Sequence, residues 1–446
     1  MGKVDPRVVT VFSFVLMCFS IGFIGYFFER SSFSSVLILY GFAFSSLVVI
    51  YHGSGNRIWQ LNELLIYSLL VRLVLLLATP SLSDDYFRYF YDGILIQNGI
   101  NPFSYLPVQS ISLISNEHAD LANALFIGMN SKSYYSVYPP LHQALFYFAT
   151  WGSTSVFVAV VKLRLLIIVA DLAVIWFLFR LRERMMQDTN RVILYAFNPL
   201  VVLELTGNLH LEGVVLCFLM ASLYFLGKSK FRAAGIFWAG AVGLKLVPII
   251  LAPIWWCAIQ AKKRVSFFAM AFVIMVLAFL PLVFSNGFSG FFESVKLFQK
   301  SFEFNGSIYY FLRWIGALFL GYNPISILGP ALSIFTILAI VVFVFNSPIW
   351  MPYLTLYEQV SLVYIFYFLC QPVVHPWYII PLLGTSILTQ MRSAIVWSFA
   401  VFLSYSAYSS SPTKEVTAFL IFQYAALLIF LSIDLYSRWR NERQIR

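Results

Sequence analysis

The stretch Ser83-Asp84-Asp85-Tyr86-Phe87-Arg88-Tyr89-Phe90-Tyr91-Asp92-Gly93 gathers three carboxylates and a guanidinium in a chain that has only 19 acidic residues. A carboxylate can take the proton from an attacking hydroxyl or hold a divalent cation through its oxygens. A cation beside it can stabilise a departing phosphate. If the stretch is helical, Asp85, Arg88 and Asp92 fall on one face at i, i+3 and i+7. The plainer alternative is that Ser83 or Asp84 caps a helix, where a carboxylate is also favoured by the helix dipole. A cap, however, needs one such residue and leaves the others unexplained.

Further polar groups recur in otherwise apolar surroundings. They are Tyr138-Pro139-Pro140-Leu141-His142, then Asn198-Pro199, then Glu204, Asn208, His210 and Glu212. Lys245 and the run His375-Pro376-Trp377-Tyr378 follow. An ionised group in hydrocarbon costs about 2.5–3.5 kcal/mol on insertion scales, so such residues are candidates for function. Each also has a structural reading: His142 as a packed interfacial ring, Glu204 as the partner of a neighbouring helix, and Lys162, Arg164 and Asp171 as an intramembrane ion pair. Tyr86, Tyr89, Tyr91, Tyr134 and Tyr135 offer flat apolar faces with polar tips, which suit sugars at an interface.

The elements that must position these groups are membrane helices. The chain of 446 residues is 61% apolar and 11% charged, more apolar surface than a soluble domain can hide. Apolar runs of roughly 17–25 residues, the length of a bilayer crossing, recur from end to end. The first, Val8 to Phe28, reads as a retained helix rather than a signal peptide. The net charge of +10 marks topology rather than nucleic-acid binding. Basic clusters at Lys3/Arg7, Arg180–Arg191, Lys228–Arg232, Lys262–Arg264 and Arg438–Arg446 are expected on the cytoplasmic side, with both termini. Counting crossings puts the segment 81–140, which contains only Arg88 and Lys132 as lysines or arginines, outside. A second external or re-entrant segment is expected over 285–322, with a break in the chain at Lys245-Leu246-Val247-Pro248. The expectation is an all-α polytopic membrane protein, a single domain over 1–446 of about 13–14 transmembrane helices. Cys18, Cys217, Cys257 and Cys370 sit in apolar runs and are expected as small core residues without disulfides. On this topology, the carboxylates, histidines and Lys245 converge on one membrane face.

At these residues the sequence resembles the GT-C integral-membrane glycosyltransferases, and most of all the bacterial polyprenol-phosphate-mannose-dependent α-mannosyltransferases. The resemblance runs in order through Asp84-Asp85-x-x-Arg88-Tyr89-x-x-Asp92-Gly93, Asn101-Pro102-Phe103, Tyr138-Pro139-Pro140 and Asn198-Pro199-Leu200. It continues through Gly207 to Gly213, Gly243 to Pro248, Phe304-Asn305-Gly306-Ser307 and His375-Pro376-Trp377-Tyr378. It departs from the relatives at the turn, where His210-Leu211-Glu212-Gly213 stands for their His-Asn-Asp-Gly.

The resemblance implies a GT-C-like bundle with an acidic first large external loop. It also implies a catalytic base at Asp85 with Asp84 as its partner, and a polyprenyl-phosphate hexose, mannose by likeness, as donor. Arg88, Lys245, His375 and Tyr378 then face the donor phosphate and sugar, and Asp92, Tyr138, Asn208, His210 and Glu212 shape the substrate pocket. The acceptor would be a hydroxyl of a glycan or glycolipid at the outer face of the plasma membrane. A divalent cation, Mg2+ or Mn2+, on Asp84 and Asp85 is left open, since some relatives need none. The rival reading is a transporter or flippase for a lipid-linked glycan, which also carries intramembrane charge and broken helices. A third is a non-catalytic subunit of a sugar-transfer complex, for which the pair Asp84 and Asp85 would have no use.

Overall fold

In hydrocarbon a backbone amide has no water to bond, so a chain this apolar must close its hydrogen bonds within helices. The computed structural model describes residues 6–53, 58–284 and 287–445, and over these the chain is helical, with one isolated bridge between Phe304 and Val373. Lys3, Arg446 and residues 285–286 of the second external segment lie outside the described residues. Five helices are long and apolar enough to cross a membrane: Arg7–Phe27, Phe33–Gly53, Ala261–Val283, Ile325–Trp350 and Thr417–Gln444. The pair Pro199–Gly207 and Glu212–Gly227, bent by 114°, passes the same test together as a broken span or a re-entrant loop. The chain is therefore an all-α, multi-pass membrane protein.

Of the other apolar stretches counted as crossings, Val156–Arg184 is one continuous helix of 29 residues, and the rest are not continuous helices of that length. Phe231–Leu244, Val247–Ala258, Ile308–Leu320 and Leu356–Cys370 are shorter, and the regions 189–207, 376–386 and 393–409 are pieced together from α, 3-10 and π turns. Apolarity reports that a stretch avoids water; it does not report whether the stretch crosses in one piece. Irregular backbone at membrane depth is tolerated where protein surrounds it, and these pieced regions are buried.

Buried arginines satisfy the carbonyls that such breaks expose. Arg164 donates to the carbonyls of Thr206 (2.6 Å), Leu76 (2.8 Å) and Gly207 (3.0 Å). Arg182 donates to Asp188 and Ile387 carbonyls, both at 2.5 Å, and Arg191 to that of Met391. Two charges of the long helix Val156–Arg184, Arg164 and Arg182, thus serve this task. The expected ion pairing among Lys162, Arg164 and Asp171 does not form. Asp171 instead pairs with Arg72 of the Leu61–Leu73 helix at 2.6 Å, with both side chains fully buried, and accepts the Tyr195 hydroxyl at 2.7 Å. Lys162 reaches the Trp151 carbonyl at the helix start. The helix register decides this, since it turns Asp171 toward the Leu61–Leu73 helix and Arg164 toward the broken one.

The acidic segment is itself folded. Asp85–Gln97 and Asn116–Gly128 are helices, and the first packs on Pro140–Thr150. That contact is backbone to backbone at Gly93, where a Cβ would sit 2.5 Å from the Phe146 carbonyl oxygen and 2.6 Å from Thr150 Oγ1. The glycine of the Asp92-Gly93 motif is a packing residue. Gly93→Ala is expected to cost about 1–3 kcal/mol, the usual range for overpacking, read as a lower melting temperature in detergent. The break expected at Lys245 is present: Phe231–Leu244 ends there in extended backbone, before the 3-10 turn Val247–Leu251. The cysteines are free, as expected, but Cys257 is exposed rather than in the core, because it lies near the end of the short helix Ala252–Ala258.

Candidate active site

Asp85 opens the helix Asp85–Gln97, and its amide donates to Ser83 Oγ at 3.3 Å. Neither Ser83 nor Asp84 makes a side-chain cap to the first turn of that helix by the usual route. The Asp84 carboxylate is instead paired with Arg30, whose guanidinium also lies 4.7 Å over the Tyr408 ring. Asp85 is left free of a direct cation and 30% exposed, at the wall of a cavity of about 700 Å³.

Eight of the residues picked from sequence line this cavity: Asp84, Asp85, Arg88, Tyr138, Glu212, Lys245, His375 and Tyr378. They come from positions 84 to 378, so the fold gathers what the chain separates. Lys245 is ion-paired with Glu212, and its Nζ lies 4.0 Å over the Tyr378 ring. His375 is stacked between Phe304 (4.8 Å) and Trp377 (4.4 Å). Tyr138 meets Tyr89 edge-on at 5.0 Å. Phe298 and Gln299 from Phe288–Ser301, Phe302 just after it, and Tyr364, Tyr367 and Phe368 from Leu356–Cys370 form a more apolar wall.

Asp85 lies outside every membrane-spanning segment, and its carboxyl is raised from 3.8 to about 7. Burial is the main cause; Glu212 and Asp84 add to it, while Lys245 and Arg30 oppose it. A carboxyl poised near neutrality is matched to proton abstraction.

Asp92, Asn208 and His210 stand behind the cavity rather than on its wall. Asp92 is buried and accepts from Arg88 Nε (2.7 Å), Ser136 Oγ (2.5 Å) and Gln143 Nε2 (3.0 Å). Arg88 also donates to the carbonyls of Ser131 (3.1 Å) and Tyr134 (2.8 Å). The pair therefore pins the loop after Asn116–Gly128 to the Asp85–Gln97 helix. Asn208 holds the Leu82 amide at 3.2 Å and donates to Glu204 at 3.1 Å.

Arg30 and Glu204 carry more of the site than their sequence context indicates. Arg30 stands alone at the outer end of the first span in the crossing count, against the usual cytoplasmic bias of basic residues, and that was the available signal. Glu204 lies in a π-helical turn, Val202–Gly207, a geometry that apolar patterning does not reveal. The possibility of a metal on Asp84 and Asp85 is not supported by the donor set. Asp84 is engaged by Arg30, and among the described residues no group of three or more His, Cys, Asp or Glu is arranged to hold an ion.

No curated protein matches the chain. Residues 7–261 match the family model described as alpha-(1->6)-mannopyranosyltransferase, N-terminal domain, which is more than half of the chain. The match spans Arg30, Asp85, His210, Glu212 and Lys245; His375, Trp377 and Tyr378 lie beyond it. A glycosyltransferase of this type needs a sugar donor and an acceptor at a membrane, which suits a cavity walled by carboxylates, cations and aromatic rings. The chain belongs to the alpha-(1->6)-mannopyranosyltransferase family and is a mannosyltransferase of the GT-C type.

Proposed function

We propose that the chain transfers mannose from a polyprenyl-phosphate mannose donor to a hydroxyl of a glycan or glycolipid acceptor at the outer face of the plasma membrane, with both termini in the cytoplasm. The observation that carries this reading is Asp85, near neutrality in its proton affinity, sharing one cavity with Lys245 and a wall of aromatic rings. Asp85 takes the proton of the acceptor hydroxyl as its oxygen bonds to the anomeric carbon. The bond from that carbon to the phosphate oxygen breaks, and the electron pair leaves with the polyprenyl phosphate. Lys245 and Arg30 supply positive charge for that phosphate, each by giving up part of its present carboxylate contact. His375 and Tyr378 complete the donor side, and Tyr138 stacks against sugar. Arg88 braces the loop through its pair with Asp92, and its unpartnered Nη2 is the group it has left for the donor phosphate. The alpha-(1->6) linkage of the family makes a C6 hydroxyl the acceptor group in this reading.

The apolar wall of Phe298, Phe302, Tyr367 and Phe368 suits the first units of a prenyl chain. The helix Ile308–Leu320 fits a place on the outer face: it is only 13 residues long and exposes Phe311, Trp314, Leu318 and Phe319. The transporter reading draws no support from a family of transferases.

The test is mannosyl transfer by the purified protein in lipid, with radiolabelled polyprenyl-phosphate mannose and α-mannoside acceptors. Product formation is expected; turnover with a nucleotide sugar alone would overturn the donor assignment. The pH profile follows from Asp85. Only the carboxylate is a base, so kcat/KM is expected to rise with pH, with a limb near 7, and to fall about tenfold per pH unit well below it. Burial, Glu212 and Asp84 raise that value and Lys245 and Arg30 oppose them, while His210 lies 4.0 Å from the carboxylate. A limb near 4 would mean that Asp85 is not held as described.

A further inference from the structure

Behind Asp85 lies a buried chain of groups that proton abstraction alone does not require. His210 Nδ1 is 4.0 Å from Asp85 Oδ2 and 3.4 Å from the Tyr89 hydroxyl. On the other side of the ring, His210 Nε2 is 3.5 Å from Glu204 Oε2. Glu204 is fully buried and already accepts from the Tyr405 hydroxyl at 2.7 Å and from Asn208 Nδ2 at 3.1 Å. Tyr405 and Asn208 both donate to Glu204, so the carboxylate is fixed as an acceptor. The ring itself is held in plane by Trp377, with centroids 3.7 Å apart and planes 12° from parallel.

The backbone has been bent to make this arrangement. Glu204 sits in the π turn, and the His210 amide donates to the Glu204 carbonyl at 3.0 Å, which closes the turn on itself. Leu209 between them has φ +65, a conformation that a branched side chain avoids. A π turn followed by a left-handed leucine is local strain at the point where two carboxylates approach one imidazole.

We propose that Glu204 and His210 are positioning residues for Asp85: Glu204 draws the His210 proton to Nε2, so that Nδ1 presents its lone pair to Asp85. At 3.5 Å the Glu204 carboxylate favours the proton on Nε2 by its charge, without a formed hydrogen bond. When Asp85 has taken the acceptor proton, its new O–H gains an acceptor in Nδ1 by closing the 4.0 Å gap and displacing the Tyr89 hydroxyl that now bonds that nitrogen at 3.4 Å. The proton is then held away from the forming glycosidic oxygen, and the protonated base is stabilised in the transition state. Without His210, the protonated Asp85 would face Tyr89 and the cavity alone. This inference rests on Asp85 being the base.

The experiment is steady-state kinetics on His210→Phe, Glu204→Gln and the double variant, with polyprenyl-phosphate mannose as the probe. Phenylalanine keeps the stack on Trp377 and removes both nitrogens; glutamine removes the charge, its carbonyl oxygen accepting from Asn208 and its NH2 donating to the Tyr405 oxygen, which reverses the direction of that contact. His210→Phe is expected to lower kcat by about 10–100-fold, the value of one hydrogen bond to a charge-bearing group, with donor KM unchanged. Glu204→Gln is expected to lower kcat by a smaller factor, and by nothing further when His210 is already phenylalanine, because it acts only through that ring. Additive losses in the double variant, a rise in KM without a fall in kcat, or full kcat in His210→Phe would each overturn the proposal. Should His210→Phe fail to fold, Glu204→Gln alone decides, and an unchanged kcat sinks it. Activity retained by Asp85→Asn would instead sink the underlying assignment of the base and leave these variants to show it separately.

Discussion

Replacing Asp85 with asparagine is expected to reduce mannosyl transfer by about 10²–10⁴-fold, the usual contribution of a positioned general base, while leaving the protein folded. Asparagine has nearly the same shape and keeps the helix start at Ser83 intact, so the loss would report chemistry rather than collapse. The stability of the variant makes the result sharper. The Asp85 carboxyl is raised from 3.8 to about 7 in the folded protein, so its neutral form fits the site better than its charged form. The contribution of that neutral form is fully present below the unfolded value of 3.8 and is lost as pH rises through about 7. At pH 8 the wild-type protein carries the cost of a carboxylate that burial, Glu212 and Asp84 all disfavour. Asp85→Asn removes that cost. Its melting temperature is therefore expected to match or exceed wild type at pH 8, with the gain shrinking toward pH 5. The checks are radiolabelled mannose transfer and melting followed by tryptophan fluorescence, both in the same detergent. A variant that is both active and less stable at pH 8 would remove Asp85 as base and as a strained group at once. The pattern would be the ordinary exchange of stability for function at an active site.

Asp171→Ala is expected to have the largest effect on stability, about 3–5 kcal/mol, the cost of leaving one member of a buried ion pair uncompensated. Arg72 and Asp171 are both fully buried, at 2.6 Å. Arg72 also donates to the carbonyls of Ser68 (2.9 Å) and Ala196 (3.0 Å). The alanine variant would strand a guanidinium and the Tyr195 hydroxyl, which now bonds Asp171, with no water to take them up. The Ala196 carbonyl precedes the Asn198-Pro199 turn that leads to Glu204 and His210, so loosening here reaches the site. Arg72→Met with Asp171→Leu is expected to recover part of the loss, because the charges go together, but not all of it, because Tyr195 and Ala196 still lose a partner. Thermal unfolding of the two variants in detergent measures both effects. An Asp171→Ala protein with an unchanged melting temperature would show that the pair adds nothing.

Both predictions depend on residues whose importance was legible and whose partners were not. The sequence marks Asp84, Asp85 and Arg88 as unusual by charge density in an apolar chain, and Lys245, Glu212, His210 and His375 by their cost in a membrane. The same logic marks Asp171 as paired. It does not say with what: Arg164 is seven residues away on the same helix, yet the partner is Arg72, 99 residues earlier. Likewise Arg88 reads as a phosphate contact from its place beside the acidic pair, and only the fold shows its Nε and Nη1 engaged by Asp92, Ser131 and Tyr134 while Nη2 is left without a partner. Glu204 looks like any carboxylate near a turn until the π turn and Leu209 bring it to His210.

Composition and the spacing of apolar runs by themselves determine that this is an all-α membrane protein, because the demand to satisfy backbone hydrogen bonds without water is local to each segment. Charge cost in the same medium picks out most of the residues at the cavity, because it too is a property of one side chain in its surroundings. The tertiary structure alone decides which helices are continuous and which are broken, since the carbonyls a break frees need donors from elsewhere in the fold, such as Arg164 at 206–207 and Trp238 at Pro248. It alone decides, too, that Arg30 engages Asp84 and leaves Asp85 without a direct cation. That choice separates two adjacent aspartates into one that is neutralised and one that can act as a base, and it is made by a side chain 54 residues away, through geometry that no local pattern encodes.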